Sequence, residues 1–233
     1  MFLTKIIISI GLRQEQKFLR LLAKIEFGVS IFCKKLAVAA VQENKLNLAA
    51  LLQSHSKEEE KHGKMLASLA DGNERFHHEG SGRFISIVRP TGEELRRNVD
   101  YEAEGKVLEW DSVNLPGERL KGVFENFDGL SKRYCTLRLL FGNKSAFAYN
   151  WDDRLAFMYV LERQTLQFYE VLANSQRAPE PLRVIASLIA RDEVEHADYL
   201  KSLLFHYNAD IEKWRDRLWL ASLGLIVDMW RFK

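Results

Sequence analysis

The chain has almost no cysteine. Cys33 and Cys135 are the only two in 233 residues, and no Cys-x-x-Cys occurs. That excludes a rubredoxin-type iron site and a zinc ribbon, and it makes a reduced, cytoplasmic protein the expectation. Charge of one sign is also lacking. The formal net charge is +2, which gives no electrostatic case for nucleic acid as a partner. Long apolar runs are absent too. The N-terminal Met1–Gly11 is interrupted by Lys5 and reaches Arg13 without a small-x-small cleavage site, so it reads as the start of the first helix and not as a signal peptide. Near the other end, Leu218–Val227 falls short of the roughly 20 apolar residues a bilayer span needs. It reads as a buried fifth helix. The alternative is an interfacial helix, which would bring peripheral membrane contact.

What is present is a repeat. Glu26, Phe32 and Leu36-Ala37 align with Glu162, Phe168 and Leu172-Ala173, and a Glu-x-x-His follows each block: Glu59–His62 and Glu193–His196. The lone glutamates stand 136 residues apart (26 to 162) and the Glu-x-x-His pairs 134 apart (59 to 193). An acidic residue, Glu58 or Asp192, precedes each second glutamate. A third match, Glu74–His77, lies in a glycine-flanked polar stretch on no periodic apolar face and is set aside.

Apolar periodicity places the repeat on helices. Residues 14–45 carry Leu22, Ile25 or Glu26, Val29, Phe32 or Cys33, and Leu36 on one face, and 46–70 carry Leu48, Leu52, His55, Glu59, His62, Leu66 and Leu69. Asp71-Gly72-Asn73 is a stop signal. Residues 151–176 align Leu155, Met158, Glu162, Thr165 or Leu166, and Tyr169, and 180–207 align Leu182, Ile185, Ile189, Glu193, His196, Leu200 and Leu203. The expectation is one all-α domain over 1–233: a first helix pair (1–70), a crossover insert (71–150), a second pair (151–207) and a C-terminal helix (208–233). Within the insert, Arg83–Arg89 has strand-like composition and Glu118–Leu140 looks helical. The segment is read as an enlarged crossover or a lid.

Both Glu-x-x-His pairs thus fall on the apolar side of their helices, where an uncompensated carboxylate is costly. Glutamate and histidine three residues apart on a helix are neighbours and can bind one ion together. Four inward carboxylates carry −4, which two divalent ions balance. Carboxylate and imidazole donors suit iron or manganese.

This pattern resembles the ferritin-like di-iron carboxylate superfamily, over about 26–70 and 151–206. The resemblance implies a ferritin-like four-helix bundle holding two iron ions, or manganese and iron. Glu26 and Glu162 would be terminal ligands, Glu59 and Glu193 bridges, and His62 and His196 caps. It pairs Asp192 with His62 and Glu58 with His196. A ferritin subunit typically carries one Glu-x-x-His, and bacterioferritin lacks so long a crossover. Rubrerythrin usually has a further glutamate where Thr165 stands, together with a rubredoxin domain. Glu26-Phe27-Gly28 resembles the Glu-Tyr-Gly of demethoxyubiquinone hydroxylases. The resemblance therefore implies an oxidoreductase of the oxidase or hydroxylase type. Its co-substrate would be O2 or H2O2, with an electron donor and a small-molecule substrate, and a homodimer is compatible with it. The alternatives are a non-catalytic iron-handling protein and a rubrerythrin-like peroxidase without its rubredoxin domain.

Val29, Cys33, Thr165 and Tyr169 are placed near the open coordination face. Thr165 and Tyr169 read as a core hydroxyl and a core aromatic ahead of oxygen-handling groups. His55, one turn before Glu59 and matched by Ile189 in the other half, reads as a packed or partly exposed histidine, with an extra polar group near the metals as the alternative. Arg96, Arg97, Lys121, Lys132 and Arg133 read as solvated surface.

Overall fold

The computed structural model describes residues 2–72, 135–142, 146–207 and 209–231. The described residues are all helical: α1 (Phe2–Gly11), α2 (Glu15–Gln42), α3 (Leu46–Ala70), α4 (Cys135–Phe141), α5 (Trp151–Ala173), α6 (Glu180–Leu204) and α7 (Ile211–Arg231), with short 3-10 turns at Leu12–Gln14 and Ala146–Ala148. The strand-like Arg83–Arg89, the Glu74–His77 motif and the five basic residues of the insert lie outside the described residues.

Four long helices form two pairs, α2 with α3 and α5 with α6, and α3 packs on α6 across the pairs. Each turn has its own chemistry. Asn44 takes a positive φ of 58° between α2 and α3, and Gly72 takes φ 72° after α3, a backbone region glycine enters without steric cost. The Asn150 side chain accepts from the Asp153 amide and caps α5. Pro179 and Pro181 open α6, where the missing N–H costs nothing.

Small residues let α2 and α3 approach closely. Ser30 Oγ donates to the Ser56 carbonyl at 2.7 Å and Ser56 Oγ donates to the Ser30 carbonyl at 2.9 Å, both buried. A Cβ added at Gly63 would lie 2.9 Å from the Phe27 ring. This reciprocal pair sits one turn beyond Glu26 and one turn before Glu59, so it fixes the register of two glutamates that must meet.

The core is divided. One apolar cluster contains Phe32, Leu36, Leu52, Leu155, Phe157, Met158, Leu200 and Trp214. The other contains Phe18, Leu19, Leu22, Phe27, Leu66, Leu166, Leu172, Leu182 and Ile189. Glu26, His55, Glu59, His62, Glu162, Glu193 and His196 are all buried, and along every helix they fall between residues of the two clusters. Each fully buried Leu or Phe contributes roughly 1.5–3 kcal/mol. The apolar layers therefore supply the stability that an ionisable layer consumes.

Two expectations are refined. The N-terminal segment does not continue into the first long helix. It is a separate helix that runs through a 3-10 turn and is interrupted at Gln14, which has φ −134° and ψ 59°; Phe18 packs on Gly11, 2.4 Å from where a Cβ would stand. Its Ile7 and Ile8 join the second cluster. In the last part of the crossover, the described residues 135–142 and 146–148 contribute to the core: Leu140, Phe141 and Ala146 are buried, and α4 packs on α7. There Trp214 of α7 meets Phe141, Tyr149 and Phe157 at ring-centroid distances of 6.1, 5.1 and 5.4 Å. Helix α7 is half-buried. Trp214, Leu218 and Ala221 face inward, while Trp219, Leu220, Leu223 and Val227 are exposed. Among the described residues, no helix is long and apolar enough to cross a membrane.

Candidate metal centre

The buried polar layer contains two groups that could each hold a metal ion. Ligand atoms of Glu26, Glu59, His62 and Glu193 lie within 4.8 Å of one another, and so do those of His55, Glu59, Glu162 and His196. Glu59 belongs to both. Glu193 also spans them, with Oε1 3.9 Å from His62 Nδ1 and Oε2 3.1 Å from His196 Nδ1. All six residues proposed as ligands from sequence are thus brought together. The local reason is the 3.6-residue period, which puts the Glu and His of each Glu-x-x-His on one face.

Both histidines are oriented alike. His62 Nδ1 faces Glu26, Glu59 and Glu193 at 3.9, 3.7 and 3.9 Å. Its Nε2 lies 3.2 Å from Asp192 Oδ2. His196 Nδ1 lies 3.1 Å from both Glu59 and Glu193, and its Nε2 is 2.6 Å from Glu58 Oε2. The two cross-half pairs expected from sequence are therefore present. An Nε2–H donating to an outer carboxylate leaves the Nδ1 lone pair facing inward, the arrangement that orients a metal-ligating imidazole and raises its basicity.

Among the other candidates, Tyr169 is buried and its hydroxyl donates to Glu26 Oε1 in a short hydrogen bond. Thr165 is half-buried one turn after Glu162 and belongs to neither group. Val29 and Cys33 are buried. His55 is packed, at 1% exposed, and it belongs to the second group, which agrees with the alternative reading of it as an extra polar group near the metals. Its hydrogen-bond partner Tyr199 was not singled out by the sequence. The signal available was position alone, since Tyr199 follows His196 by three residues on the same helix face.

Among the described residues the cluster is one of acids and imidazoles without Lys or Arg, and the ion pairs of the four glutamates are to histidines. Burial, reinforced by the neighbouring Glu59 charge, pushes the Glu26 and Glu193 carboxyls well above the usual range. Burial acts on Glu59 and Glu162 as well, but there it is outweighed. His196, His55 and His62 hold Glu59 well below its usual range, and His55 holds Glu162 below. Burial opposes protonation of His62 and His196, yet Asp192 and Glu59 raise the first, and Glu193 and Glu58 raise the second. Burial pushes the Cys33 thiol up, so it is no ready thiolate.

The donor atoms fit a cation. His62 Nδ1, Glu162 Oε1 and Glu193 Oε1 are buried with no hydrogen-bond partner, although each points into the polar layer. Buried polar atoms are nearly always satisfied, and a bound ion would satisfy these three. Donors about 2.1 Å from one ion and at wide angles to each other stand about 3–4 Å apart, the range seen around His62 Nδ1. No family model, curated protein or solved structure matches the chain.

Proposed function

We propose that this chain is a ferritin-like di-metal carboxylate protein that holds two iron ions, with manganese–iron as a variant, and acts as an oxidoreductase on O2 or peroxide. The observation that supports it most is the pair of buried Glu/His groups sharing Glu59 between two apolar layers. Glu26 and His62 serve one position, Glu162 and His196 the other, and Glu59 and Glu193 lie between them. Two redox-active ions held by these residues would supply the electrons for reducing the oxidant and Lewis acidity at the site.

The chain's own residues do the rest. The four carboxylates offset the charge of two divalent ions, so the loaded layer is neutral where an isolated charge is costly. Asp192 and Glu58 hold the two imidazoles by their outer nitrogens. Tyr169 donates to Glu26 and sets the rotation of that carboxylate. The flanking Leu, Ile and Phe layers exclude water, which strengthens every charge interaction inside.

Anaerobic loading with Fe(II), followed by elemental analysis and stopped-flow mixing with O2 or H2O2, tests the reading. The expected result is about two ions per chain and rapid oxidation, and Glu59→Ala disturbs both positions. A fully loaded protein that reacts with neither oxidant removes the redox assignment and leaves iron handling.

A further inference from the structure

The two halves of the centre stop matching at His55. The position equivalent to it in the second half holds Ile189. Yet His55 is buried, and its ring stacks on His196 with centroids 3.8 Å apart. Its Nε2 lies 3.1 Å from Glu59 Oε1 and 3.4 Å from Glu162 Oε1, and its Nδ1 lies 2.6 Å from Tyr199 Oη. His62 and His196 follow the same plan, with one ring nitrogen among the glutamates and the other against an oxygen outside them. Glu162 Oε1, which faces His55 Nε2, has no hydrogen-bond partner. His55 Nε2 and the facing oxygens of Glu59 and Glu162 thus stand at the spacing of donors around one cation.

We propose that His55 is a further metal ligand, through Nε2, to the ion held by Glu59, Glu162 and His196, and that Tyr199 is the positioning residue that fixes its ring. The inference rests on the di-metal reading above. It makes the two positions chemically unequal, with two imidazoles at one and His62 alone at the other. Imidazole favours iron relative to manganese, and carboxylate the reverse. The His55 position is therefore the one that selects iron when both metals are present.

The competing role for His55 is a hydrogen-bond donor that merely orients Glu59. The two roles place the ring proton differently. A donor carries it on Nε2 and accepts from Tyr199 at Nδ1. A ligand carries it on Nδ1 and donates to Tyr199. Co(II) used as the probe metal reports this directly, because each coordinated imidazole shows one strongly shifted, solvent-exchangeable N–H resonance. Loaded wild-type protein should show three such signals. His55→Ile, which copies the other half, should show two and should lose about tenfold or more in Co(II) affinity at one of its two positions. Tyr199→Phe keeps the ring and removes its oxygen. It should keep three signals and weaken that same position by about tenfold. Two signals in wild-type protein that binds two Co(II), or unchanged affinities in His55→Ile, overturns the ligand assignment alone. Wild-type protein that binds no Co(II) overturns the di-metal reading and this inference with it. The wild-type signal count decides the matter even if His55→Ile fails to fold.

Discussion

At the scale of the residue, the outer acids Asp192 and Glu58 are the most direct handle on the site. Burial would raise Asp192, but the donated His62 N–H and the Lys61 charge outweigh it and hold the carboxyl at about 2. It is therefore ionised at any pH where the centre works. Asp192→Asn and Glu58→Gln keep the shape and remove the charge that orients each imidazole. Each should weaken one metal position by about 10- to 100-fold while leaving the helical content unchanged. A competition titration against a chromophoric chelator measures this, and unchanged affinity in both variants would show the acids to be bystanders. The two Glu-x-x-His pairs were legible in the sequence because a fixed period along one helix sets who faces whom, and the lone glutamates because the block is repeated. The pairing of Asp192 with His62 and of Glu58 with His196 crosses from α6 to α3 and was legible only through the family resemblance. His55 was on the correct stripe, but with Ile189 at the matching position it read first as a packed or partly exposed histidine and only second as a polar group near the metals. Its meaning depends on Tyr199 and Glu162, which lie on other helices and reach it only through the register of α3 against α6 and α5. One chain's periodicity carries no information about that register.

At the scale of the element, the seam between α4 and α7 shows how the end of the crossover became part of the core. A Cβ at Gly224 would lie 2.8 Å from the Thr136 amide nitrogen, and backbone yields less readily than a side chain. Gly224→Val should lower stability by roughly 1–3 kcal/mol through overpacking, with metal stoichiometry unchanged. A thermal melt equal to wild type would mean that α4 does not rest on α7 in solution. Helix α7 is in turn tied to α5 at Asp153, whose Oδ1 accepts from Lys213 Nζ at 2.7 Å and Trp214 Nε1 at 2.8 Å. Burial would raise this carboxyl, but the two donors outweigh it and hold it below its usual range. Its contribution is present above about pH 4, where the unfolded chain's carboxyl is ionised, and is lost as pH falls through the folded value. Asp153→Asn should therefore cost about 1–2 kcal/mol at pH 7, and the difference should shrink in acid. Denaturant melts of both proteins at pH 7 and pH 3 make the comparison, and a gap that persists unchanged at pH 3 would refute the charge argument. Helix α4 was half visible, as the end of a helical stretch. Its docking was not, because Gly224 reads in sequence only as a weak point in a helix.

At the scale of the whole molecule, the polar layer makes stability depend on pH in opposite senses with and without metal. In the metal-free protein, Glu26 and Glu193 have raised carboxyls, and His62 and His196 are raised as well. Above about pH 4 for the glutamates, and near and above pH 6.5 for the histidines, the folded chain holds more protons than the unfolded one. Stability then falls as pH rises, until each group passes its folded value. Glu59 and Glu162 are lowered, so their contribution is already complete at neutral pH and is lost only in acid. Bound cations reverse the first trend, because ligands must give up their protons before they coordinate, and affinity therefore rises with pH. A ligand present at 100 times its dissociation constant stabilises the folded state by about 2.7 kcal/mol per site. The metal-free protein should keep its helices and melt at progressively lower temperature from pH 6 to pH 8. The loaded protein should hold or gain, so the gap between the two widens. Calorimetric titration of Co(II) in two buffers of different ionisation enthalpy should show net proton release that grows as pH is lowered. A constant melting gap together with a buffer-independent binding heat would mean that the ions do not displace protons from the buried glutamates, and the site would have to lie elsewhere.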